Sequence, residues 1–279
     1  VLMLLMVLAV SLIVMIIPEN DADIHFVAGQ YSPYTLFSKL DFSGEDKLKT
    51  RALREQVASQ APYYFKIQPE ASAQITEHFQ ENISAVRGQF AVAEELVQGG
   101  RTEEGENIWR SQIVFLESAL DFFMHELTKY GLCEIHAGSW NSTVKYENIM
   151  VHMGVVEAAM RDRDSDAWFL DFINDTYGTV TMASWDTVKD QISLLGMDVM
   201  QIAKDAFWEQ GSSEKPRDKM KRRLNSLFQR RNMIAHQSDR RHADAQKEPI
   251  SRETVEEFIA DVEKIVAAVV KEAERKQEA

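Results

Sequence analysis

Residues 102–130 read TEEGENIWRSQIVFLESALDFFMHELTKY, and the large apolar residues in them keep one rhythm. Trp109, Ile113, Leu116, Leu120, Phe123 and Leu127 follow at steps of 4, 3, 4, 3 and 4, which lays a single stripe along one side of an α-helix. A stripe of this length must be covered by other helices, so the reading predicts a helical bundle with no sheet at its core. His125 and Glu126 flank the stripe without a second histidine four residues from His125, so they are no zinc-protease motif and read as surface residues.

Outward from that helix the same period recurs. Upstream, residues 75–97 read as a helix that stops at Gly99-Gly100, where a domain boundary is expected. Downstream, a third helix is expected over residues 143–160 with Tyr146, Met150, Met153 and Val156 turned inward. Trp168, Phe169, Phe172 and Ile173 are expected in the core. Ser184 can cap a helix carrying Val188, Ile192 and Leu195, and a short helix over 197–209 follows. Residues 216–236 form a basic helix with Met220, Leu224, Leu227 or Phe228, and Ile234 on its apolar face. Ser251 can cap the last helix, whose stripe is Val255, Phe258, Val262, Ile265 and Val269. Early Glu253, Glu256 and Glu257 and late Lys271, Arg275 and Lys276 match that helix's dipole.

The chain of 279 residues has a net charge of −13, which argues against non-specific nucleic-acid binding by the molecule as a whole. The charge is uneven. From Ser212 to His242 there are ten Lys or Arg against three Asp or Glu, a local balance of +7. A single cysteine, Cys133, excludes an internal disulfide and a cysteine-based zinc site.

At the end of the basic helix stands Arg230-Arg231-Asn232-Met233-Ile234-Ala235-His236. Asn232 and His236 are four apart and share a helix face. Arg231 and His236 are five apart, so a straight helix points them well apart. They converge only if the helix ends or bends near Ala235, or if a second copy of the chain completes the site. A guanidinium grips phosphate oxygens with two parallel bonds and an imidazole titrates near neutral pH, a pair suited to phosphodiester chemistry. The plainer reading is a solvated arginine and a histidine favoured at a helix C-terminus.

The segment Arg231-Asn232-Met233-Ile234-Ala235-His236, with its basic helix before it and a polar loop and long amphipathic helix after it, resembles the signature of the HEPN superfamily. Within that superfamily it is most similar to the RiboL-PSP-HEPN type, over roughly residues 103–277. The resemblance implies an all-α domain and a metal-independent endoribonuclease or RNA-binding function. It implies a homodimer that brings two motifs around one phosphodiester, with the ribose 2′-OH as nucleophile, and leaves room for a cognate antitoxin. It gives His236 the role of general base or acid, Arg231 that of stabilising charge on phosphorus oxygens, and Asn232 that of orienting imidazole or phosphate. Lys219, Lys221, Arg222, Arg223 and Arg230 would bind flanking phosphates, the alternative being an ordinary solvated basic face. Neither a metal nor a cofactor is expected.

The beginning of the chain reads differently. Residues 1–17 are apolar throughout, which predicts a membrane span or signal anchor ended by Pro18 and an acidic flank of Glu19, Asp21 and Asp23. That flank points the following residues out of the cytoplasm. The opening residue, Val1, is what a fragment or trimmed product would show. Residues 24–80 mix short extended pieces with one charged helix, a small α+β segment. Gly29, Asp41-Phe42, Asp46, Thr50, Arg54-Glu55, Pro62 and Tyr64 resemble the start of the extracytoplasmic domain in seven-transmembrane HD-hydrolase receptors. The chain has no His-Asp dipeptide, so that family's hydrolase is absent. The sequence thus predicts a mainly α chain in three parts: an anchor over 1–17, a receptor-like fragment over 18–100, and an HEPN-like bundle over 101–279. Two alternatives stand beside the ribonuclease: a non-enzymatic membrane-anchored sensing or adaptor module, and an artificial join of two gene pieces.

Overall fold

The computed structural model describes residues 71–161, 167–241 and 243–278, and three short strands ahead of them. The strands β1 (Met3–Leu4), β2 (Val14–Ile16) and β3 (Ile24–Phe26) pair antiparallel in chain order, with Met3 opposite Ile16 and Ile16 opposite Ile24. They belong to a first compact unit, Val1–Lys66, and all the helices belong to a second, Ile67–Ala279. Apart from β1 and β2, the expected span over 1–17 lies outside the described residues, as do residues 29–64 with the receptor-like resemblance. Among the described residues no helix is long and apolar enough to cross a membrane.

The second unit is a helical bundle, as the stripe periodicity predicts. Its spine is α3 (Thr102–His136), about 52 Å long at 1.5 Å per residue. Every member of the expected stripe is buried on it, with Ile113, Leu116 and Leu120 fully so. Ahead of it come α1 (Ala71–Gly88) and α2 (Phe90–Gln98), broken at Gln89 where one helix was expected. After it come α4 (Val144–Glu147), α5 (Met153–Arg161), α6 (Ala167–Tyr177), α7 (Trp185–Leu194), α8 (Val199–Phe207), α9 (Pro216–Gln237) and α10 (Arg252–Glu278).

The expected boundary at Gly99-Gly100 falls inside this unit, at a turn between α2 and α3. Phe79 of α1 meets Phe123 of α3 edge to face, ring centres 5.6 Å apart. The buried Gln112 amide donates to the Val86 carbonyl at 2.7 Å. A Cβ at Gly105 would stand 2.5 Å from the Val97 side chain and 2.7 Å from the Ala93 carbonyl oxygen, so only glycine lets α2 close on α3 there. Residues 71–98 are therefore core of the bundle.

The helix starts follow local chemistry. Ser184 accepts from Thr187 N–H, Asp198 from Met200 and Gln201 N–H, Ser251 from Thr254 N–H, and Pro216 opens α9 with its φ already set. The helix expected over 143–160 is corrected to two short ones. The Asn148 side-chain amide donates to the Val144 carbonyl and closes α4, and Met150 and Met153 are 88% and 71% exposed rather than inward. Leu227, not Phe228, takes the buried position on α9, and Ile259 joins the stripe of α10.

Candidate functional site

The geometry of the Arg231 to His236 segment follows from which face of α9 is buried. Met220, Leu224 and Leu227 sit against the bundle, and the same steps of 3 and 4 carry that face on to Arg231 and Ile234. Arg231 accordingly points toward α3. Its Nε lies 3.2 Å from Oε2 of Glu117, a carboxylate 1% exposed, and its own side chain is 29% exposed. Its Nη1 donates to Oδ1 of the neighbouring Asn232 at 3.0 Å. Burial pushes the Glu117 carboxyl above the usual carboxylate range; Arg231 opposes that shift and Asp121, one turn along, adds to it.

His236 lies one turn beyond Asn232 and is exposed. The helix runs unbroken through the segment to Gln237, two residues past Ala235, and stops at Ser238 and Asp239, both left-handed with φ of 51° and 58°. Five residues of helix turn through about 140° net, so Arg231 and His236 of one chain point apart while Asn232 and His236 stay together.

The end of α9 is fixed by a cluster that the sequence reading missed. Oδ2 of Asp239, fully buried, accepts from Nε of Arg110 on α3 at 2.8 Å and from Nη2 of Arg230 at 2.8 Å. Arg110 also reaches Glu106 and the Glu248 carbonyl, and Arg230 the carbonyls of Glu248 and Pro249. Burial lowers the Arg230 pKa from its ordinary value, against the pull of Asp239. Arg230, expected on phosphate, instead ties the loop after the motif to the spine.

The other expected phosphate binders are mostly engaged as well. Lys219 pairs with Glu209 at 2.7 Å, Arg222 grips Glu214 with two bonds at 3.0 and 2.9 Å, and Arg223 meets Glu257 and Asp261. Only Lys221 of the five is without an ion pair among the described residues, and it is exposed. Of the carboxylates that meet these cations, Glu209, Glu257 and Asp261 come from outside the +7 stretch, and Glu214 and Asp239 from within it. Pairs at the surface are weak, about 0–1 kcal/mol, and a polyanion can displace them. Among the described residues no three His, Cys, Asp or Glu stand together as a metal site.

His125 and Glu126 are not plain surface residues. Both are half-buried on the wall of a cleft between α3 and α6.

The RiboL-PSP-HEPN family model matches residues 93–275, from within α2 almost to the end of α10. No curated protein and no solved structure matches the chain.

Proposed function

We propose, on the premise that this chain belongs to the RiboL-PSP-HEPN family, that its helical unit is a metal-independent endoribonuclease acting as a homodimer. The observation that carries the proposal is the helix face shared by a half-buried Asn232 and an exposed His236 beside a partly exposed Arg231. Because Arg231 and His236 of one chain diverge, the productive site combines the two motifs across a dimer axis. His236 of one copy takes the proton from the ribose 2′-OH, and the freed oxygen attacks phosphorus. The P–O5′ bond breaks, and His236 of the other copy returns a proton to the leaving oxygen. The products are a 2′,3′-cyclic phosphate and a 5′-hydroxyl. Arg231, held in place by Glu117, stabilises the charge on the non-bridging oxygens, and Asn232 orients the guanidinium through its carbonyl.

A second reading has an observation of its own. Arg231 shares its charge with buried Glu117, and four of five expected RNA-contacting cations already face acceptors. That favours an RNA-binding or adaptor domain without cleavage. The two separate in one experiment on the full chain, with short RNAs, in chelator. Cleavage that leaves cyclic phosphate ends, and falls by about 10²–10⁴ in His236→Ala at unchanged melting temperature, is the expected result. Intact RNA across several substrates supports the adaptor, and cleavage unaffected by His236→Ala overturns the assigned chemistry.

A further inference from the structure

A cleft of about 350 Å³ opens between α3 and α6, one helical turn from the Arg231–Glu117 pair. Ser118, Phe122 and His125 of α3 form one wall at steps of 4 and 3, and Asn174 and Tyr177 of α6 form the other. Its volume lies in the range that takes a small ligand.

The lining selects the kind of ligand. Its one lysine is already matched to a carboxylate. Lys129 holds Glu126 at 2.7 Å, and one oxygen of Asp121 accepts the Met182 N–H while the other stands 3.7 Å from Nε2 of His125. With two carboxylates and one lysine the cleft offers a phosphate no unclaimed cation. What remains is two aromatic side chains, a carboxamide that donates and accepts, a hydroxyl and an imidazole. Burial pushes the Tyr177 phenol above its ordinary value, so its hydroxyl stays a neutral donor. Flat apolar faces joined to short-range donors and acceptors suit a neutral heteroaromatic ring, the requirement of a nucleobase.

Position connects this cleft to the cleavage site. Asp121, on the cleft wall, is four residues after Glu117, so the two share a face, with Cβ atoms about 6 Å apart. Glu117 in turn touches Arg231.

We propose that this cleft is a subsite for the nucleobase next to the phosphate held at Arg231. The proposal rests on the RNA reading above and gives it a base preference that the Arg231 to His236 segment does not supply.

The test uses the full chain with adenosine, guanosine, cytidine and uridine, and inorganic phosphate as a separate probe, read by saturation-transfer NMR and calorimetry. At least one nucleoside binds, phosphate does not compete, and Asn174→Ala and Tyr177→Ala each weaken binding by about tenfold. Asn174 is exposed, so its variant leaves the melting temperature in place. No binding by any nucleoside, equal binding in both variants, or competition by phosphate overturns the proposal. RNA cleavage by the wild type and by Asn174→Ala, read beside nucleoside binding, separates the two ideas. Asn174-dependent binding without any RNA cleavage by the wild type would sink the ribonuclease and keep the subsite. Cleavage whose preference for the base beside the cut is the same in Asn174→Ala would sink the subsite and keep the ribonuclease.

Discussion

Asp239→Asn removes one charge and almost nothing else. The side chain keeps its shape, and asparagine accepts the left-handed backbone at φ 58° as readily as aspartate. What changes is that two guanidiniums, Arg110 at 6% and Arg230 at 14% side-chain exposure, lose the anion between them. Breaking a buried ion pair by removing one partner costs about 3–5 kcal/mol. Here Arg110 keeps Glu106 and a carbonyl, and Arg230 keeps two carbonyls. That argues for the lower end, about 3 kcal/mol. For a unit of this size each kcal/mol moves the melting temperature by about 2–4 °C, so the variant should melt roughly 6–12 °C lower. Scanning calorimetry and urea unfolding both read it. The double variant Asp239→Asn with Arg230→Met should cost less than the sum of the singles, because one stranded charge is then gone. A shift under about 2 °C would show that the cluster is solvated and does not anchor the loop.

Two further outcomes follow from the packing and the buried charges. The Glu117 carboxyl is held above its usual range chiefly by burial, so the folded chain binds that proton more readily than the unfolded chain. The stabilisation is complete below the unfolded pKa and is lost as pH rises through the folded one, so Glu117→Gln should gain on the wild type as pH rises above the ordinary glutamate value of about 4.3. Parallel urea midpoints across that rise would contradict the assignment. Deleting residues 71–98 uncovers Phe123 and leaves the Gln112 amide without the Val86 carbonyl, so the remainder should aggregate or lose near-ultraviolet circular dichroism. A soluble, cooperatively melting fragment from residue 100 onward would show that α1 and α2 are dispensable.

The spine was legible because α3 repeats one stripe through six residues, and every one of them is buried. The caps at Ser184 and Ser251 were legible because capping is a local hydrogen bond. What stayed hidden depends on partners far apart in sequence. Arg110 and Asp239 are separated by 129 positions, and nothing near either names the other. The basic stretch read as an open surface because Glu257 and Asp261, which engage Arg223, come from another helix. Yet one signal was present and unused. Arg231 continues the 4, 3, 4 rhythm of Met220, Leu224 and Leu227, and Glu117 shares the inner face of α3 with Ile113 and Leu120, so a charged residue on each buried stripe already called for a partner.

The loop between α9 and α10 is shut at its neck. Glu248 N–H donates to the Asp239 carbonyl at 2.8 Å, Arg240 and Lys247 form a single antiparallel bridge, and Arg230 grips the Glu248 and Pro249 carbonyls. The neck, and not the span of chain beyond it, sets where α9 stops and α10 starts. Stretching such a loop costs little, about 0.6 kcal/mol for each doubling of its length. Between Arg240 and Lys247 the chain is therefore a place where a peptide tag or a fluorophore-bearing insert can be carried, with the helices on either side kept in register by the buried carboxylate below.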